Sequence, residues 1–393
     1  MAADRCSVLL VNPWHGGSHR AWAEGWARHS RHEVHLVTHE DRYWRWRLRG
    51  ASVTLAEAAR AVVDEHGPPD VVLGTDLVDL AAFLGVSRRF LGAPAVALYL
   101  HESQLVRPSG EAPAAARRRR SSAPRAEADA ESVLANWRSM VVADAVLVNS
   151  RHHLDELAGA LPQFLDGAPD HTHRDLVDRV LARCSVLPVG CELVGLLGAA
   201  RRSTAPPAGR APPLIVWNQR WDHDKDPASF LRILRRLADE GAEFRVALAG
   251  ENRRADPREF TEAIDALGSR IVHVGFLPTD GYHDLLLRSD VVVSTARHEF
   301  FGVAVVEAMA AGCIPVLPAR LSYPEVVPPA WHEAVLYRRR PKAHLAEVLA
   351  DLPAARARVA GLRDAMARHS WEEVAPRYDE VIAGLAAEYG PRR

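Results

Sequence analysis

Residues 290–318 read "DVVVSTARHEFFGVAVVEAMAAGCIPVLP" and contain one full repeat of the architecture. An apolar run, DVVVST, leads into a Phe-Phe-Gly turn at 300–302. An apolar helical stretch closed by Gly312 follows, and then a second apolar run, IPVLP. Both runs are continuously apolar rather than alternating, which predicts parallel strands covered on both faces. Two carboxylates frame the turn: Glu299 before it and Glu307 after it, with seven residues between them.

The same alternation extends in both directions. Strand-like runs occur at 6–12, 33–38, 70–75, 93–100 and 144–150, and again at 214–218, 244–250, 271–277, 290–295 and 314–318. Amphipathic stretches separate them. Asp226 and Pro227 form an N-cap and first-turn proline for a helix that Gly241 is placed to end. The Pro-, Gly- and Ala-rich segment 201–213 reads as a linker. The expected fold class is therefore α/β, as two doubly wound, Rossmann-like domains over 1–205 and 212–393, with the last helix packing back on the first domain. Sheets of this kind bind ligands at the carboxyl ends of their strands, and the expected place is a cleft that both domains face. An insertion at 108–130, with arginines at 117–120 and no apolar period, is expected to be a mobile loop.

Composition narrows the classes. A chain of 393 residues is too long for one ordinary core. A formal net charge of −1 excludes a whole-molecule basic field, so any nucleic acid must meet a local patch. Cys6, Cys184, Cys191 and Cys313 form no CxxC pair and read as buried thiols of a reducing compartment. The N-terminus lacks a signal-peptide pattern, and no apolar run approaches the roughly 18 residues of a membrane span. A soluble, cytoplasmic protein with no membrane partner is expected.

The candidate site grows from the opening stretch. The first helical amides, around Phe301, Gly302 and Val303, have no acceptor within the helix and lie at the positive end of its dipole. That end suits a diphosphate, and glycine lets a phosphate reach the backbone. Either glutamate alone reads better as a surface or loop charge. Together they fit a nucleotide sugar, with Glu299 meeting the sugar and Glu307 a pair of ribose hydroxyls. The loop "NQRWDHDKDP" stands at the same kind of strand-to-helix turn, where Arg220 and Lys225 can neutralise a departing diphosphate, although a lone lysine or arginine there reads better as a solvated charge. In the first half, Gly16, Gly17 and Ser18 form another such turn, which holds a phosphate or is simply tight. His101 and Glu102 end a strand, and His101 either faces the ligand or is structural.

The carboxy half resembles the retaining GT-B glycosyltransferases of family 4, whose pair of spaced glutamates reads here as Glu299 and Glu307. Nearly the whole chain resembles the tRNA-queuosine α-mannosyltransferase family. The likeness rests on "GGSHRAW", "YWRWRLR", "YLHESQL", "DAVLVNSRHH", "NQRWDHDKDPASF", "STARHEFFGVAVVEAMAAGCIPVLP" and "LSYPE". It implies GDP-mannose as donor and queuosine in the anticodon loop of tRNA-Asp as acceptor. It also implies Arg220 and Lys225 on the donor diphosphate, Glu299 on the sugar, Glu307 on the ribose and His101 at the reacting side of the sugar. Two features depart from the family: the segment after "HESQL" is longer, and "HES" stands where "HEN" is expected. "DHD" at 222–224 copies a metal motif of another glycosyltransferase class and is set aside, because the cations beside it do the metal's work. No cofactor or metal is expected.

For RNA the best patch is "DRYWRWRLRG" at 41–50, where Arg42, Arg45 and Arg47 interleave with Trp44 and Trp46. Arginines meet phosphates while rings stack on unpaired bases. An amphipathic segment with its tryptophans in the core fits the composition equally. Three readings result: a tRNA-queuosine mannosyltransferase, a related enzyme with a lipid or small-molecule acceptor, and a non-catalytic binding module. A Lys225→Ala variant is expected to lose most activity with its fold intact.

Overall fold

Every run marked above as a strand is one. The computed structural model describes residues 5–103, 105, 123–202, 212–250 and 258–391. The chain divides into two compact units, Met1–Gly190 with Trp371–Arg393, and Cys191–Ser370. In the first unit, β1 (Ser7–Asn12), β2 (Glu33–Thr38), β3 (Val71–Thr75), β4 (Ala95–Leu100), β5 (Ala145–Val148) and β6 (Cys184–Val186) form a parallel sheet. Its strand order is β2-β1-β3-β4-β5-β6. In the second unit, β7 (Leu214–Trp217), β8 (Arg245–Leu248), β9 (Ile271–Val274), β10 (Val291–Val293), β11 (Ile314–Pro318) and β12 (Leu336–Tyr337) form another, in the order β12-β11-β10-β7-β8-β9. All paired strands here are parallel too.

The edge strands β6 and β12 are additions to the sequence reading. They have three and two residues, too short for a run to stand out. The strands of β3 and β4 are buried throughout, because helices cover both faces. In the second unit, the Pro227–Asp239 helix buries Phe230, Leu231, Ile233, Leu234 and Leu237. Its start is fixed by the Asp226 carboxylate, which accepts from the Ser229 amide at 3.2 Å and the Ser229 hydroxyl at 2.8 Å. Removing a fully buried ring such as Phe230 would cost about 3–5 kcal/mol, the lost transfer energy plus the cavity.

The insertion expected over 108–130 needs correction. Residues 106–122, with the arginines at 117–120, lie outside the described residues. Residues 123–130 begin the Ala123–Val142 helix rather than a loop. Helix-forming Ala and Glu, with no further proline after Pro124, outweigh the absence of a strong apolar period there. Of the proposed linker, 203–211 also lies outside the described residues, and Arg201 and Arg202 end a helix, Val194–Arg202. The units part at Gly190, upstream of that segment, because the Val194–Arg202 helix packs on the Val303–Ala311 helix of the second unit. The Trp371–Tyr389 helix belongs to the first unit. Trp22 Nε1 donates to Tyr378 OH at 2.9 Å, and Asp379 accepts from Trp26 Nε1 at 3.2 Å and the Arg31 amide at 2.8 Å. Trp371 lies so close to Gly25 that a Cβ there would sit 2.1 Å from its Nε1.

The cysteines are free, with Cys6, Cys191 and Cys313 buried and Cys184 half-buried. Among the described residues no helix is long and apolar enough to cross a membrane.

Candidate active site

Strand order locates two candidate sites. In the second unit the connections run from β7 to β8 and β9 on one side, while β10 lies on the other side of β7. Ligands of such sheets bind at the strands' carboxyl ends beside this reversal, where the loops after β7 and β10 meet. The first sheet reverses in the same way between β1 and β3.

In the second unit, the loops after β7 and β10 carry the charges. After β7 the chain makes a short 3-10 turn, His223–Lys225, which the Asp222 side chain caps by accepting from the His223 amide at 2.8 Å. This brings Lys225 Nζ to 2.8 Å from Glu299 Oε2, 3.0 Å from the His298 carbonyl and 3.4 Å from Asp224 Oδ2. Lys225 is only 8% exposed. Burial alone would lower its pKa, but the Glu299 and Asp224 carboxylates outweigh burial and hold it well above the ordinary lysine value. The loops are laced together. Thr295 Oγ1 donates to the Lys225 and Asp226 carbonyls, both at 3.0 Å, and the Arg297 amide donates to the Asp224 carbonyl at 2.7 Å. Asp222 and Asp224 are thus occupied by a turn and a lysine. Arg220 is exposed on the same loop.

Gly302 caps the Val303–Ala311 helix at φ +98°, a conformation that favours glycine. A Cβ there would also press on Tyr323 at 3.3 Å and touch Glu299 Cγ at 3.6 Å. Glycine thus places the helix amides against the Lys225–Glu299 pair. Phe301 is buried, and its amide donates to Glu299 Oε1 at 3.4 Å. Within the helix, Glu307 accepts from Tyr282 OH at 2.8 Å. Burial pushes its carboxyl up to about 7, against the opposing effect of that hydrogen bond.

The sequence reading missed Tyr323 and Asn218. Tyr323 is fully buried, bonded to Ser294 Oγ at 2.6 Å, and forms the floor beneath Gly302. It belongs to "LSYPE", a motif noted for resemblance without a role.

In the first unit, the strands end in buried polar residues: Asn12 at the end of β1, Asp76 after β3, His101 after β4 and Asn149 after β5. The His101 amide donates to Asp76 Oδ1 at 3.3 Å, and Asn149 Nδ2 donates to the His101 carbonyl at 3.0 Å. The His101 ring packs among His19 at 4.1 Å, Trp22 at 4.5 Å and Tyr99 at 4.8 Å. Burial, with the neighbouring His19 and His153, keeps it neutral by lowering its pKa well below the usual range. Its Nε2 is buried without a hydrogen-bond partner in the protein. Asp76 is a functional candidate the sequence reading missed. Burial, then the Glu102 charge, pushes its carboxyl up to about 7. The signal was the "TD" that closes an apolar run.

Gly16 caps the Gly17–His29 helix, which carries Ser18 in its first turn. A Cβ on Gly16 would sit 2.2 Å from Asp41 Cγ, so an acidic side chain lies against this turn. In the 41–50 patch a helix, Trp44–His66, starts at Trp44. Tyr43 and Trp46 are 76% and 66% exposed, and the Arg45 guanidinium lies 4.5 Å over the Trp44 ring. Arg42 pairs with Glu40 at 3.3 Å, and Arg47 is half-buried. The rings of Trp44 and Trp46 are therefore outside the core, which Leu48 enters instead. Glu33, His35 and His66 lie close enough to share a metal ion, but at the opposite ends of the strands from these sites.

Comparison with known proteins adds the family. Residues 7–191 match the tRNA-queuosine alpha-mannosyltransferase N-terminal model, and residues 204–360 match the glycosyl transferases group 1 model. A tRNA-queuosine alpha-mannosyltransferase of Drosophila melanogaster is 30% identical over 335 residues, covering 84% of this chain and 83% of that protein. The GDP-mannose:cellobiosyl-diphosphopolyprenol alpha-mannosyltransferase of Xanthomonas campestris is 28% identical over 220 residues, covering 54% of this chain and 56% of that protein. Among solved structures, sucrose-phosphate synthase of Thermosynechococcus elongatus superposes with a TM-score of 0.67 at 17% identity, covering 97% of this chain and 99% of that one. The catalytic domain of starch synthase IV of Arabidopsis thaliana gives a TM-score of 0.67 at 12% identity, covering 98% of this chain and 100% of that one. At such identities the structural likeness establishes the fold, which is GT-B.

Proposed function

We infer the reaction from one premise: the chain belongs to the tRNA-queuosine alpha-mannosyltransferase family and is a glycosyltransferase. On this reading it moves mannose from GDP-mannose to queuosine in the anticodon loop of tRNA-Asp, with retention at the anomeric carbon and without a metal ion. The names of both relatives support mannosyl transfer, the Drosophila name supports the acceptor, and the Xanthomonas name supports GDP-mannose.

The observation that carries the reading is the buried Lys225–Glu299 pair beside a glycine-capped helix start. The donor diphosphate lies on the amides around Gly302 and Val303. Lys225 and Arg220 meet the charge that grows as the sugar–phosphate bond breaks. Glu299 accepts from sugar hydroxyls and, by its contact with Lys225, ties sugar position to the cation. Glu307 accepts from the ribose. The acceptor hydroxyl attacks on the face the diphosphate leaves, and the leaving phosphate oxygen takes its proton. In the first unit, neutral His101 offers its Nε2 to a hydroxyl-bearing ligand. Arg42, Arg45 and Arg47 with Trp44 and Trp46 meet the RNA loop. A tRNA acceptor implies action in the cytoplasm.

The test uses purified protein, queuosine-containing tRNA-Asp and GDP-mannose, with UDP-glucose and UDP-galactose as rival donors. Digested nucleosides are read by mass spectrometry. The expected product is queuosine plus one hexose, dependent on GDP-mannose and lost in Glu299→Ala. Hydrolysis of one donor with no transfer to tRNA would retain the glycosyltransferase and discard this acceptor.

A further inference from the structure

We propose that Tyr282 and Asn218 are positioning residues that hold Glu307 for the nucleotide's ribose, an inference that rests on the donor-site reading above. Three elements of the second unit meet here: Asn218 just after β7, Tyr282 on the Thr279–Arg288 helix and Glu307 on the Val303–Ala311 helix. Asn218 Nδ2 donates to Tyr282 OH at 2.9 Å and to the Ala304 carbonyl at 2.6 Å. Both of its amide hydrogens are thereby committed. The Tyr282 oxygen, already accepting, sends its own hydrogen to Glu307 Oε2 at 2.8 Å. The direction is fixed at its start, because an amide nitrogen only donates, and Tyr282, already accepting, has its hydrogen left for the ionised Glu307 carboxylate. One oxygen of Glu307 is thus tied to the protein, and the carboxylate keeps acceptor capacity for a diol. Without this tie the carboxylate could take other χ3 orientations at the same place.

A second observation points to a ligand at the same place. Asn218 Oδ1 and Gln219 Oε1 are buried acceptors with no hydrogen-bond partner in the protein, in residues 7% and 4% exposed. Two adjacent orphan acceptors at a strand's carboxyl end are costly unless a ligand supplies donors, as hydroxyl or amino groups do. They stand beside the point where the strand order reverses.

The test is a double-mutant cycle read with GDP-mannose kinetics and with direct titration of GDP, which needs no acceptor. Tyr282→Phe removes the hydroxyl and keeps the ring. It is expected to raise KM for GDP-mannose and Kd for GDP about tenfold, with kcat changed less than about twofold. In a Glu307→Ala background the same change should cost nothing more. Asn218→Asp, which gives Tyr282 a second acceptor to choose, should raise KM by a similar factor. If Glu307→Ala leaves GDP affinity unchanged, the ribose role of Glu307 fails, whatever Tyr282 does. If Glu307→Ala weakens GDP while Tyr282→Phe does not, or if Tyr282→Phe costs as much without Glu307 as with it, the positioning role is overturned.

Discussion

Lys225 in the second unit and Asp76 and His101 in the first handle burial in opposite ways. In the second unit a lysine is buried and stays charged, because carboxylates stand 2.8 Å and 3.4 Å from its Nζ. In the first unit Asp76 and His101 are buried without such partners, and both shift toward their neutral forms. Burial penalises charge wherever no opposite charge repays it. One site is thus suited to a charged diphosphate, the other to neutral hydroxyls.

This contrast is most sharply tested at Lys225. Lys225→Ala should lower kcat/KM about 10³-fold, the scale for losing a preorganised charge at a leaving group. The sequence reading expected the fold to survive intact. The buried pair adds a stability cost: Glu299 and Asp224 would each lose their lysine, at up to about 3–5 kcal/mol. Adding Glu299→Gln should restore the melting temperature without restoring turnover. A single variant with wild-type melting and near-wild-type activity would end both the site assignment and the contrast.

Asp76 gives the next largest effect. Its folded value of about 7 lies above the ordinary 3.8, so the folded state holds a proton the unfolded chain has released. Its contribution favours folding below pH 3.8 and is lost as pH rises toward 7. Chemical denaturation across that window isolates this contribution as the difference between wild type and Asp76→Asn, which should shift against wild type by a few kcal/mol as pH rises. Glu307 shifts the same way, so Glu307→Gln should shift against wild type in the same direction. An unchanged pH dependence in Asp76→Asn would remove the neutral-carboxyl reading of the first unit's site.

Trp46→Ala should leave stability within about 0.5 kcal/mol, since the ring is exposed. Binding to the tRNA anticodon stem-loop should weaken by about 1–3 kcal/mol if a base stacks on it. Unchanged RNA affinity would leave the patch as surface. The smallest effect belongs to Gly302→Ala, which at φ +98° should destabilise the second unit by roughly 1–2 kcal/mol and raise donor KM.

The second unit's site was more legible than the first's. Lys225, Glu299, Gly302 and Glu307 fall in loops whose charges and glycine stand out against apolar runs. Asp76, Asn12 and Asn149 were each visible as a polar residue closing an apolar run, yet a lone residue of that kind carries little signal. Tyr282 was harder still. It lies on a helix among ordinary residues, and only the approach of β7 and the Val303–Ala311 helix gives its hydroxyl two partners. The tryptophans of the 41–50 patch were undecided by composition, and the helix start at Trp44 decided them.

The sequence by itself determined the α/β class, ten of the strands, the capped helices and the glycine turn, because period, apolar continuity and capping are local properties of a chain. Tertiary structure decided which charges survive burial, which polar atoms find partners, the edge strands β6 and β12, and where the chain divides. Those outcomes depend on desolvation and on neighbours far apart in sequence. Lys225 and Glu299 meet across 74 positions, and no local pattern contains that distance.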